Sequence, residues 1–300
     1  MSQLKINYTI PVFMLHWNRP DDCLKSIDSF LSQDLDIVIT VIDNASKAHN
    51  IDKLRQNLSY KNVNLICMQE NKGWGGGFNS VLQSWINSNS SPYCFVSSHD
   101  TLLDEQCLER LIDFMDNNSF IGIASPDYGL HEIPRYSPIR GPHFIPITPE
   151  QKQWINSVDF AYATLSIFRK SCLEQIGSFD ERYFAYGDEY EISLRCRRHG
   201  WQVAICWNAI VTNPGTTTPK PLISYLLARN TLLLAYEYGN WIQAWIRIFL
   251  MLCNTIYILT FLNNRNNVTF HAVSRIQGIR DFILSRYGSP FKYIKESGNA

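Results

Sequence analysis

The stretch Asp36-Ile-Val-Ile-Thr-Val-Ile-Asp43 is a run of apolar, largely β-branched residues between two aspartates. Such a run without polar alternation is typical of a strand that is covered on both faces, as the strands of parallel sheets are. A second apolar run, Tyr8–Trp17, precedes it, and a helical pattern that starts at Pro20 separates the two. Further strands are expected at Val63–Gln69 and Tyr93–Asp100. Strands that alternate with helices predict an α/β fold built on a mainly parallel sheet.

The composition narrows the class of protein. The 300 residues allow one large or two small domains, and the 27 basic and 27 acidic residues cancel, which argues against nucleic-acid binding. None of the eight cysteines belongs to a Cys-x-x-Cys pair, so we expect buried free thiols in a reducing compartment. Because Met1–Asn7 lacks a basic segment followed by an apolar one, no signal peptide is predicted, and the cytoplasm is the expected location.

Three polar residues follow predicted strands, namely Asp43, Asn71 and Asp100. Ligands of parallel sheets bind beyond the carboxyl ends of the strands, so these residues are candidates for one binding site. The alternative for Asp43 is a turn in which its side chain bonds to the nearby backbone. The alternative for Asp100 is that it only precedes the next helix, which is expected over Leu102–Met115.

The segment Asn71-Lys-Gly-Trp-Gly-Gly-Gly-Phe-Asn79 is rich in glycine. Glycines at this density disfavour a helix interior, so we expect a sharp turn or a close approach to a ligand, followed by a helix over Phe78–Trp85. The segment lacks the Gly-Lys-Ser/Thr of a P-loop and the Gly-x-Gly-x-x-Gly spacing of dinucleotide-binding folds.

The segment Gly177-Ser-Phe-Asp-Glu-Arg-Tyr-Phe-Ala-Tyr-Gly-Asp-Glu-Tyr-Glu-Ile-Ser-Leu-Arg195 concentrates acids among aromatic residues. A helix that begins at the second cluster of acids places Asp188, Glu191 and Arg195 on one face, and Glu189 then points elsewhere. A carboxylate that is held ionised beside aromatic side chains suits a general base. The alternative is that these acids only start a helix and pair with its arginines.

These segments resemble those of family 2 inverting glycosyltransferases, most of all the rhamnosyltransferase-like bacterial branch. The acidic segment is similar to the family signature Gly-Gly-Phe-Asp-Glu-x-Phe-Phe-x-Tyr-x-Glu-Asp-x-Asp-Leu-x-x-Arg. Val41–Ser46 is similar to Val-Asp-Asn-x-Ser, and Asn71–Asn79 is similar to Asn-x-Gly-x-x-x-Gly-x-Asn. The resemblance extends from Thr9 to Gly288. It implies a GT-A fold, in which a mixed, mostly parallel sheet carries helices on both faces and is followed by a helical C-terminal extension.

The resemblance implies that one acid of the pair Asp188 and Glu189 is the catalytic base. The family's Glu-Asp-x-Asp reads Asp188-Glu189-Tyr190-Glu191 here, with every acid exchanged for its homologue. Glu189 matches the family's base by position and Asp188 matches it by residue type, so both are candidates. We favour Glu189 because backbone position sets the direction of a side chain. We expect Asp188 to be a structural partner on the side of Arg195.

The resemblance also implies a nucleoside diphosphate sugar as the donor substrate. Asp43 stands where the family's residue meets the nucleotide base. The positions that match the element lining the sugar-nucleotide site are Asn71, Gly73, Gly77 and Asn79. Arg195 and Arg229 are candidates for stabilising the departing diphosphate, and Arg229 belongs to a segment similar to the family's Arg-Asn.

A divalent cation, Mg²⁺ or Mn²⁺, is the implied cofactor, but its ligand set is incomplete. Ser97-Ser98-His99-Asp100 stands where the family has a short acidic motif, and within it only Asp100 is acidic. One carboxylate can still hold such an ion together with diphosphate oxygens and water. We expect His99 to be a packed or solvated neighbour. Thr212 stands where the family has a metal-binding His, so the need for a metal stays open.

The domain organisation also follows from the resemblance. Residues 1–218 are expected to form the GT-A domain, and residues 219–300 the helical extension. Within the domain, residues 1–126 are the nucleotide-sugar-binding half and residues 127–218 the acceptor and catalytic half. Residues 127–157 carry five prolines and are expected to form a flexible flap near the acceptor.

The apolar segment Trp241–Leu262 is long enough to suggest a transmembrane helix. However, Gln243, Arg247 and Asn254 fall on one face, and Arg247 would lie inside the bilayer at a high cost. We therefore expect a helix that packs on the domain or lies at the membrane surface. Peripheral contact with the inner face of the membrane is thus the alternative to a purely cytoplasmic location.

The predicted function is inverting transfer of a hexosyl or deoxyhexosyl group from a nucleoside diphosphate sugar to a hydroxyl of a glycan or lipid-linked glycan. The alternative is a catalytically degenerate protein of the same fold that acts as a binding partner in glycan assembly. The missing His and the single acid of the metal motif favour the alternative, whereas the intact charge of the acidic segment favours the enzyme.

Overall fold

A computed structural model describes residues 8–59, 63–88, 90–153, 157–215, 217–261 and 270–290. Two predictions fall outside these residues: the absence of a signal peptide in Met1–Asn7, and the last residue of the apolar segment, Leu262. The same holds for the end of the predicted extension, residues 291–300.

Among the described residues, nine strands form one mixed sheet in the order β3-β2-β1-β4-β10-β6-β11-β5, with β9 also paired to β11. The strands are β1 (Ile10–His16), β2 (Ile37–Asp43), β3 (Asn64–Cys67), β4 (Tyr93–Ser98), β5 (Leu102–Leu103), β6 (Ile121–Asp127), β7 (Glu132–Ser137), β8 (Gly141–Pro146), β9 (Ser157–Val158), β10 (Leu165–Arg169) and β11 (Gln202–Thr212). Strand β10 runs antiparallel to both neighbours, β5 and β9 run antiparallel to β11, and the other pairs within this sheet are parallel. The predicted mixed, mostly parallel sheet is confirmed.

Helices cover both faces of the sheet. They are α1 (Pro20–Leu31), α2 (Ala48–Leu58), α3 (Gly73–Ile86), α4 (Cys107–Asp116), α5 (Lys170–Ile176), α6 (Asp188–Arg198), α7 (Lys220–Glu237), α8 (Trp241–Phe261) and α9 (Ala272–Ile283). Side chains alternate along a strand, so β1 contributes to two cores. Val12 and Met14 pack with α1, α2 and α4, whereas Phe13 and Leu15 pack with α3, α5 and α6. This double coverage explains the uninterrupted apolar runs of β1 and β2.

The glycine-rich segment is helical from Gly73 onward, which corrects the prediction of a turn or loop there. Gly75 and Gly77 lie within the first turns of α3, where a loop is expected from their composition. A β-carbon on Gly75 would lie 2.8 Å from Cβ of Phe179, and a β-carbon on Gly77 would overlap the side chain of Leu15. The helix forms because these glycines let it pack closely on its neighbours, which offsets their low helix propensity.

Two other segments differ from the predicted pattern. The first part of Leu102–Met115 forms β5, an edge strand paired with β11, and only its second part is helical. Residues 127–157 contain the β7–β8 hairpin instead of a long irregular flap. In both segments, pairing with another strand satisfies backbone groups that the local sequence pattern assigns to a helix or a loop.

The predicted buried thiols are confirmed for six of the eight free cysteines and wrong for Cys67 and Cys253. Strand β3 forms one end of the sheet, and Cys67 is the last residue of that strand. Cys253 lies on the outer surface of α8. Apolar sequence context predicts burial only where another element covers that side of the chain.

The C-terminal helices pack on each other and on the segment before α6. Helix α7 contributes Leu226 to a cluster with Phe184 and contributes Leu233 to a cluster with Tyr183. Among the described residues, α8 is the one helix long and apolar enough to cross a membrane by length and composition, and most of it lies on the surface. Whether residues 1–218 and 219–300 are separate domains stays a prediction.

Candidate active site

A cleft of about 360 Å³ opens at the carboxyl ends of β1 and β4. Its walls come from the ends of these two strands, the start of α3, the segment before α6 and the segment after β11. Its charged, imidazole and amide lining side chains are His16, Arg19, Asn44, Asn71, His99, Asp100, Asp188, Glu189 and Asn213. Four aromatic side chains, Trp17, Trp74, Phe184 and Tyr186, complete much of the wall. The volume is in the range of small-molecule sites.

The two candidate bases begin α6, and both line the cleft. Asp188 is buried, and its Oδ2 accepts a hydrogen bond from the backbone N–H of Gly75 in α3, at 2.9 Å. Glu189 is half-buried, and its Oε2 accepts a hydrogen bond from the backbone N–H of Gly187, at 2.9 Å. The positive N-terminal ends of α3 and α6 therefore meet at this pair of carboxyl groups.

Each of the two carboxyl groups affects the pKa of the other, so they do not ionise independently. Burial, together with the charge of Glu189, raises the pKa of Asp188 well above its usual range. Burial also raises the pKa of Glu189, but hydrogen bonds from Asp188, the backbone and Tyr190 oppose this effect. Because the pKa of both acids is raised, the pair retains a proton at a higher pH than two separate carboxylates would.

The prediction that Asp188 lies beside Arg195 as its structural partner is wrong. Arg195 pairs instead with Glu191 through two hydrogen bonds of 2.9 and 2.7 Å. Its other N–H groups donate to the carbonyl oxygens of Ile176 and Ser178. Seven residues span about 10 Å along a helix, which places Asp188 beyond reach. Arg195 is outside the cleft lining, so the prediction that it contacts the donor diphosphate is corrected as well.

The backbone before α6 is strained where it forms the cleft wall. Phe184 and Tyr186 have φ values of 67° and 60°, in the left-handed region that is costly for residues with a β-carbon. The side-chain amide of Asn230 in α7 donates hydrogen bonds to the carbonyl oxygens of Tyr183 and Ala185, at 2.8 and 2.7 Å. Asn230 thereby stabilises the turn that delivers Asp188 and Glu189 to the cleft.

Arg229 supports the same turn and is not a ligand of the donor. It is completely buried, and its guanidinium group donates to the carbonyl oxygens of Arg182, Tyr183 and Gly288. No part of it lines the cleft. The predicted contact with the diphosphate is therefore corrected, because its N–H groups are already used to join the acidic segment to the C-terminal part of the chain.

Asp43 lies one layer behind the cleft. Its Oδ1 is 2.8 Å from Nδ1 of His16, its Oδ2 accepts the backbone N–H of Ser46 at 3.0 Å, and both Asp43 and His16 are completely buried. Nε2 of His16 accepts the backbone N–H of Arg19 at 3.1 Å, so Nδ1 carries the proton that His16 donates to Asp43. The predicted contact of Asp43 with a nucleotide base is corrected, since its carboxylate supports His16, which reaches the cleft.

Asn71 and Gly73, which the sequence predicts to lie at the donor site, both line the cleft. Nδ2 of Asn44 donates to Oδ1 of Asn71 and to the carbonyl oxygen of Gly73, at 3.0 and 2.9 Å. Gly77 and Asn79 lie elsewhere. Gly77 packs on β1, and Asn79 binds the backbone of Phe179. These two positions stabilise the start of α3 instead of contacting a ligand.

Asp100, the predicted metal ligand, lines the cleft and is bonded on both oxygens. Oδ1 accepts hydrogen bonds from Ser98 and Asn213, at 2.7 and 2.8 Å. Oδ2 lies 3.0 Å from Nη1 of Arg19. Asn213 turns its nitrogen toward Asp100, and its oxygen accepts the N–H of Gly215, so that oxygen already has a partner.

His99 supplies the other atom that suits a cation. Its Nδ1 lies 3.0 Å from the carbonyl oxygen of Leu15 and therefore carries the ring proton. Its Nε2 is buried and has no hydrogen-bond partner, and burial lowers the pKa of His99 to about 4, which keeps the ring neutral. Among the described residues, no group of three or more His, Cys, Asp or Glu side chains is placed to hold a metal. His99 is thus packed, as expected from the sequence, and its neutral Nε2 is a nitrogen without a partner in the lining of the cleft.

Sequence reasoning missed several residues of the cleft. His16 and Asn44 end or follow strands at the same edge as Asp43, so the strand-end argument alone would have identified them. Arg19 and Trp74 gave no comparable signal, because a loop arginine and a tryptophan among glycines have many structural uses. Only the fold brings Arg19 to Asp100.

A model of the family Glycosyl transferase family 2 matches residues 12–177. The chain belongs to this family. The matched residues contain most of the sheet and end where the acidic segment begins. Membership and the observed sheet together identify the architecture as a GT-A fold with a helical C-terminal part.

The chain is also similar to individual glycosyltransferases. The chain is 23% identical over 204 residues to the low-salt glycan biosynthesis hexosyltransferase Agl10 of Haloferax volcanii, a match that spans 66% of this chain and 64% of that protein. The mannosyltransferase PcManGT of Pyrobaculum calidifontis, solved with GDP-Man and Mn²⁺, is similar with a TM-score of 0.59 and 13% identity, covering 92% of this chain and 87% of that chain. GalNAc-T7, solved with UDP, GalNAc and Mn²⁺, has a TM-score of 0.59 and 14% identity, covering 85% and 57%. These two structures show a shared fold.

Proposed function

We propose that this glycosyl transferase family 2 protein transfers a hexosyl or deoxyhexosyl group from a nucleoside diphosphate sugar to a hydroxyl of a glycan, with inversion at the anomeric carbon. The observation that carries the proposal is the position of Asp188 and Glu189, two adjacent acids at the start of α6 that both line the cleft at the carboxyl edge of the sheet. As part of the same proposal, the chain is assigned to the rhamnosyltransferase-like branch of the family. The family and the relative from Haloferax volcanii support a role in glycan synthesis in general.

In the proposed reaction, Glu189 is the base. The acceptor hydroxyl loses its proton to the Glu189 carboxylate as its oxygen bonds to the anomeric carbon, and the bond from that carbon to the diphosphate oxygen breaks. Asp188 keeps the proton that the pair retains and donates a hydrogen bond that favours the ionised form of Glu189. Attack from the side opposite the leaving diphosphate requires the acceptor and the donor to meet at Glu189.

The donor is proposed to bind along the other wall of the cleft. The side-chain amide nitrogen of Asn71 supplies a donor, and Arg19 supplies a positive charge for the diphosphate. Arg19 takes the role that the sequence assigns to Arg195 and Arg229, because Arg19 is the guanidinium group that lines the cleft. A divalent cation held by Asp100 and His99 would supply further positive charge to the leaving diphosphate.

Contact with the membrane is proposed through α8. Its exposed face carries Trp241, Trp245, Phe249, Ile256 and Leu259. Apolar and aromatic side chains along one side of a helix are typical of helices that lie at the membrane surface. The proposed location is therefore the cytoplasm, at the inner face of the membrane, where lipid-linked glycan acceptors would be accessible.

The test is a screen of nucleoside diphosphate sugars for donor hydrolysis and transfer, with and without Mn²⁺. We expect turnover of one class of donor and its loss in Glu189→Gln. If the protein binds a nucleotide sugar but turns over no donor with any acceptor tested, the result would favour the catalytically degenerate binding partner instead. Absence of nucleotide binding would contradict both functions.

A further inference from the structure

A second cavity, of about 370 Å³, lies beside the cleft. Its walls come from β8 and from α6, α7, α8 and α9. Apolar side chains, among them Leu227, Met251 and Phe270, form much of the lining, and the guanidinium groups of Arg247 and Arg275 are its charged groups. Nothing in the proposed chemistry at Glu189 uses this cavity.

The two arginines lack carboxylate partners. Arg247 uses Nη1 to donate to the carbonyl oxygen of Ile139 at 2.9 Å, while its Nε is buried without a partner. Arg275 uses Nη1 to donate to Oδ1 of Asn254 at 2.9 Å. Within the part of the chain that the structure describes, neither guanidinium group forms an ion pair. Arg275 also lies over the Phe270 ring, 5.5 Å from its centroid. Two half-buried positive charges therefore face one cavity without a carboxylate partner among the described residues.

The sequence keeps this region free of negative charge. No aspartate or glutamate occurs between Glu237 and Asp281, a segment that includes α8 and most of α9. Burial, together with the neighbouring charge of Arg275, lowers the pKa of Arg247 to about 10. A half-buried cation without an internal partner is costly, and a bound anion would remove that cost.

The cavity adjoins the proposed base. Tyr190 lines the cavity, and the preceding residue, Glu189, lines the cleft. The Tyr190 hydroxyl and the Glu189 carboxyl each shift the pKa of the other, in accord with their neighbouring positions. A molecule that occupies the cavity therefore approaches Glu189 from the side of Tyr190, while the cleft holds Asp100 and Arg19 on another wall.

We propose that this cavity binds a phosphate or diphosphate group carried by the acceptor, with Arg247 and Arg275 as its ligands. The proposal rests on the proposed transfer function and specifies its acceptor as an anionic, phosphate-linked glycan. Phosphate oxygens match the fork of guanidinium N–H groups. The apolar lining from Leu227, Met251 and Phe270 suits the first carbons of a lipid attached to that phosphate. The outer face of α8, on the same helix as Arg247, is the proposed membrane contact.

The test uses a short-chain isoprenyl phosphate as the probe, titrated by calorimetry into the full chain with the cleft saturated by a nucleoside diphosphate. We expect one additional site. Because charge-assisted hydrogen bonds are lost, Arg275→Gln should weaken probe binding about 10- to 100-fold. Arg55→Gln removes an equal charge from an exposed arginine and should leave the affinity unchanged. Equal probe affinity in Arg275→Gln and Arg55→Gln would overturn the proposal.

Further arms separate the sources of the phosphate. If inorganic phosphate binds as tightly as the probe, the assignment to the acceptor is overturned. The assignment is also overturned if Arg275→Gln weakens binding to vesicles of anionic phospholipid but does not weaken binding of the probe. Arg247→Lys keeps the charge but loses the hydrogen bond from Nη1 to the carbonyl oxygen of Ile139, and it should keep part of the affinity. Arg275-dependent binding of the probe, in a protein that turns over no nucleotide sugar, would reject the proposed transfer and retain the phosphate site.

Discussion

The side-chain amide of Asn230 donates a hydrogen bond to the carbonyl oxygen of Ala185 at 2.7 Å. The same amide also bonds to the carbonyl oxygens of Tyr183 and Tyr186. A residue of α7 thus stabilises the left-handed turn that precedes Asp188. Helix α7 is in this way part of the active-site architecture, although it follows the last strand of the sheet in the chain.

Asn230→Ala should therefore impair both stability and turnover. The substitution leaves buried carbonyl oxygens without a donor, for which we expect a loss of about 2–3 kcal/mol in the free energy of unfolding. The measurement is urea denaturation combined with donor turnover. Asn117→Ala, at an exposed helix end, is the control and should change stability by less than about 0.5 kcal/mol. Equal stability of the two variants would contradict the assigned role of Asn230.

The base assignment predicts a difference between two isosteric variants. Glu189→Gln should lower turnover by about 10²- to 10⁴-fold, the usual contribution of a general base, and leave donor binding nearly unchanged. Asp188→Asn should retain more turnover, because Asp188 acts through its proton and its bond to Gly75. A folded, inactive Asp188→Asn beside a fully active Glu189→Gln would reverse the assignment.

The same pair predicts the pH dependence of the rate. Since the pKa of Glu189 is raised, the base becomes protonated at a higher pH than an ordinary glutamate does. The rate should therefore fall on acidification earlier than the usual glutamate pKa implies. The profile of kcat/KM against pH measures this limb. A rate that stays constant down to the ordinary glutamate range would argue against Glu189 as the base.

Asp43 is predicted to contribute stability. Burial raises its pKa, but the hydrogen bonds from His16 and Ser46 outweigh this and hold the pKa below its usual value. A lowered pKa in the folded state gives stability that is present above the unfolded pKa, about 3.9, and is lost as pH falls below it. Asp43→Asn should cost about 1–3 kcal/mol at neutral pH, and the difference should shrink in acid. Denaturation at several pH values measures it, with Asp21→Asn, an exposed position, as the control.

Cation binding should depend on the diphosphate. With Asp100 and His99 as the fitting side chains, we expect weak binding of Mn²⁺ alone and tighter binding once a nucleoside diphosphate is present. Arg19→Met should weaken diphosphate binding about tenfold or more, because one charge-assisted hydrogen bond is lost. Calorimetric titrations of Mn²⁺ and of the nucleotide, separately and together, measure both effects. Tight Mn²⁺ binding without nucleotide would contradict this ligand set.

Helix α8 predicts membrane binding. Trp245→Glu combined with Phe249→Glu places charges on its exposed apolar face and should reduce sedimentation with lipid vesicles. Phe120→Glu changes an exposed aromatic residue outside α8 and is the matched control. Unchanged vesicle binding in the α8 variant would place the membrane contact elsewhere or exclude it.

The sequence by itself determined the elements whose pattern is local. The apolar runs of β1 and β2 predict buried parallel strands, and the acidic segment predicts a helix that begins near Gly187, where α6 begins. The strand-end rule also identifies Asn71 and Asp100 as cleft residues, because parallel strands bring their carboxyl ends to one edge. These results depend on periodicity and spacing, which a sequence shows directly.

Only the tertiary structure decided which polar groups are free to act. Arg195, Arg229 and Asp43 resemble ligand-binding residues in sequence, yet partners distant along the chain occupy their hydrogen-bonding groups. These partners include Ile176 for Arg195, Tyr183 for Arg229 and His16 for Asp43. Conversely, Arg19 reaches Asp100 only because α1 begins where β4 ends in space. A charged side chain's role depends on its desolvation and on its partners, and both are set by long-range packing that a local pattern does not encode.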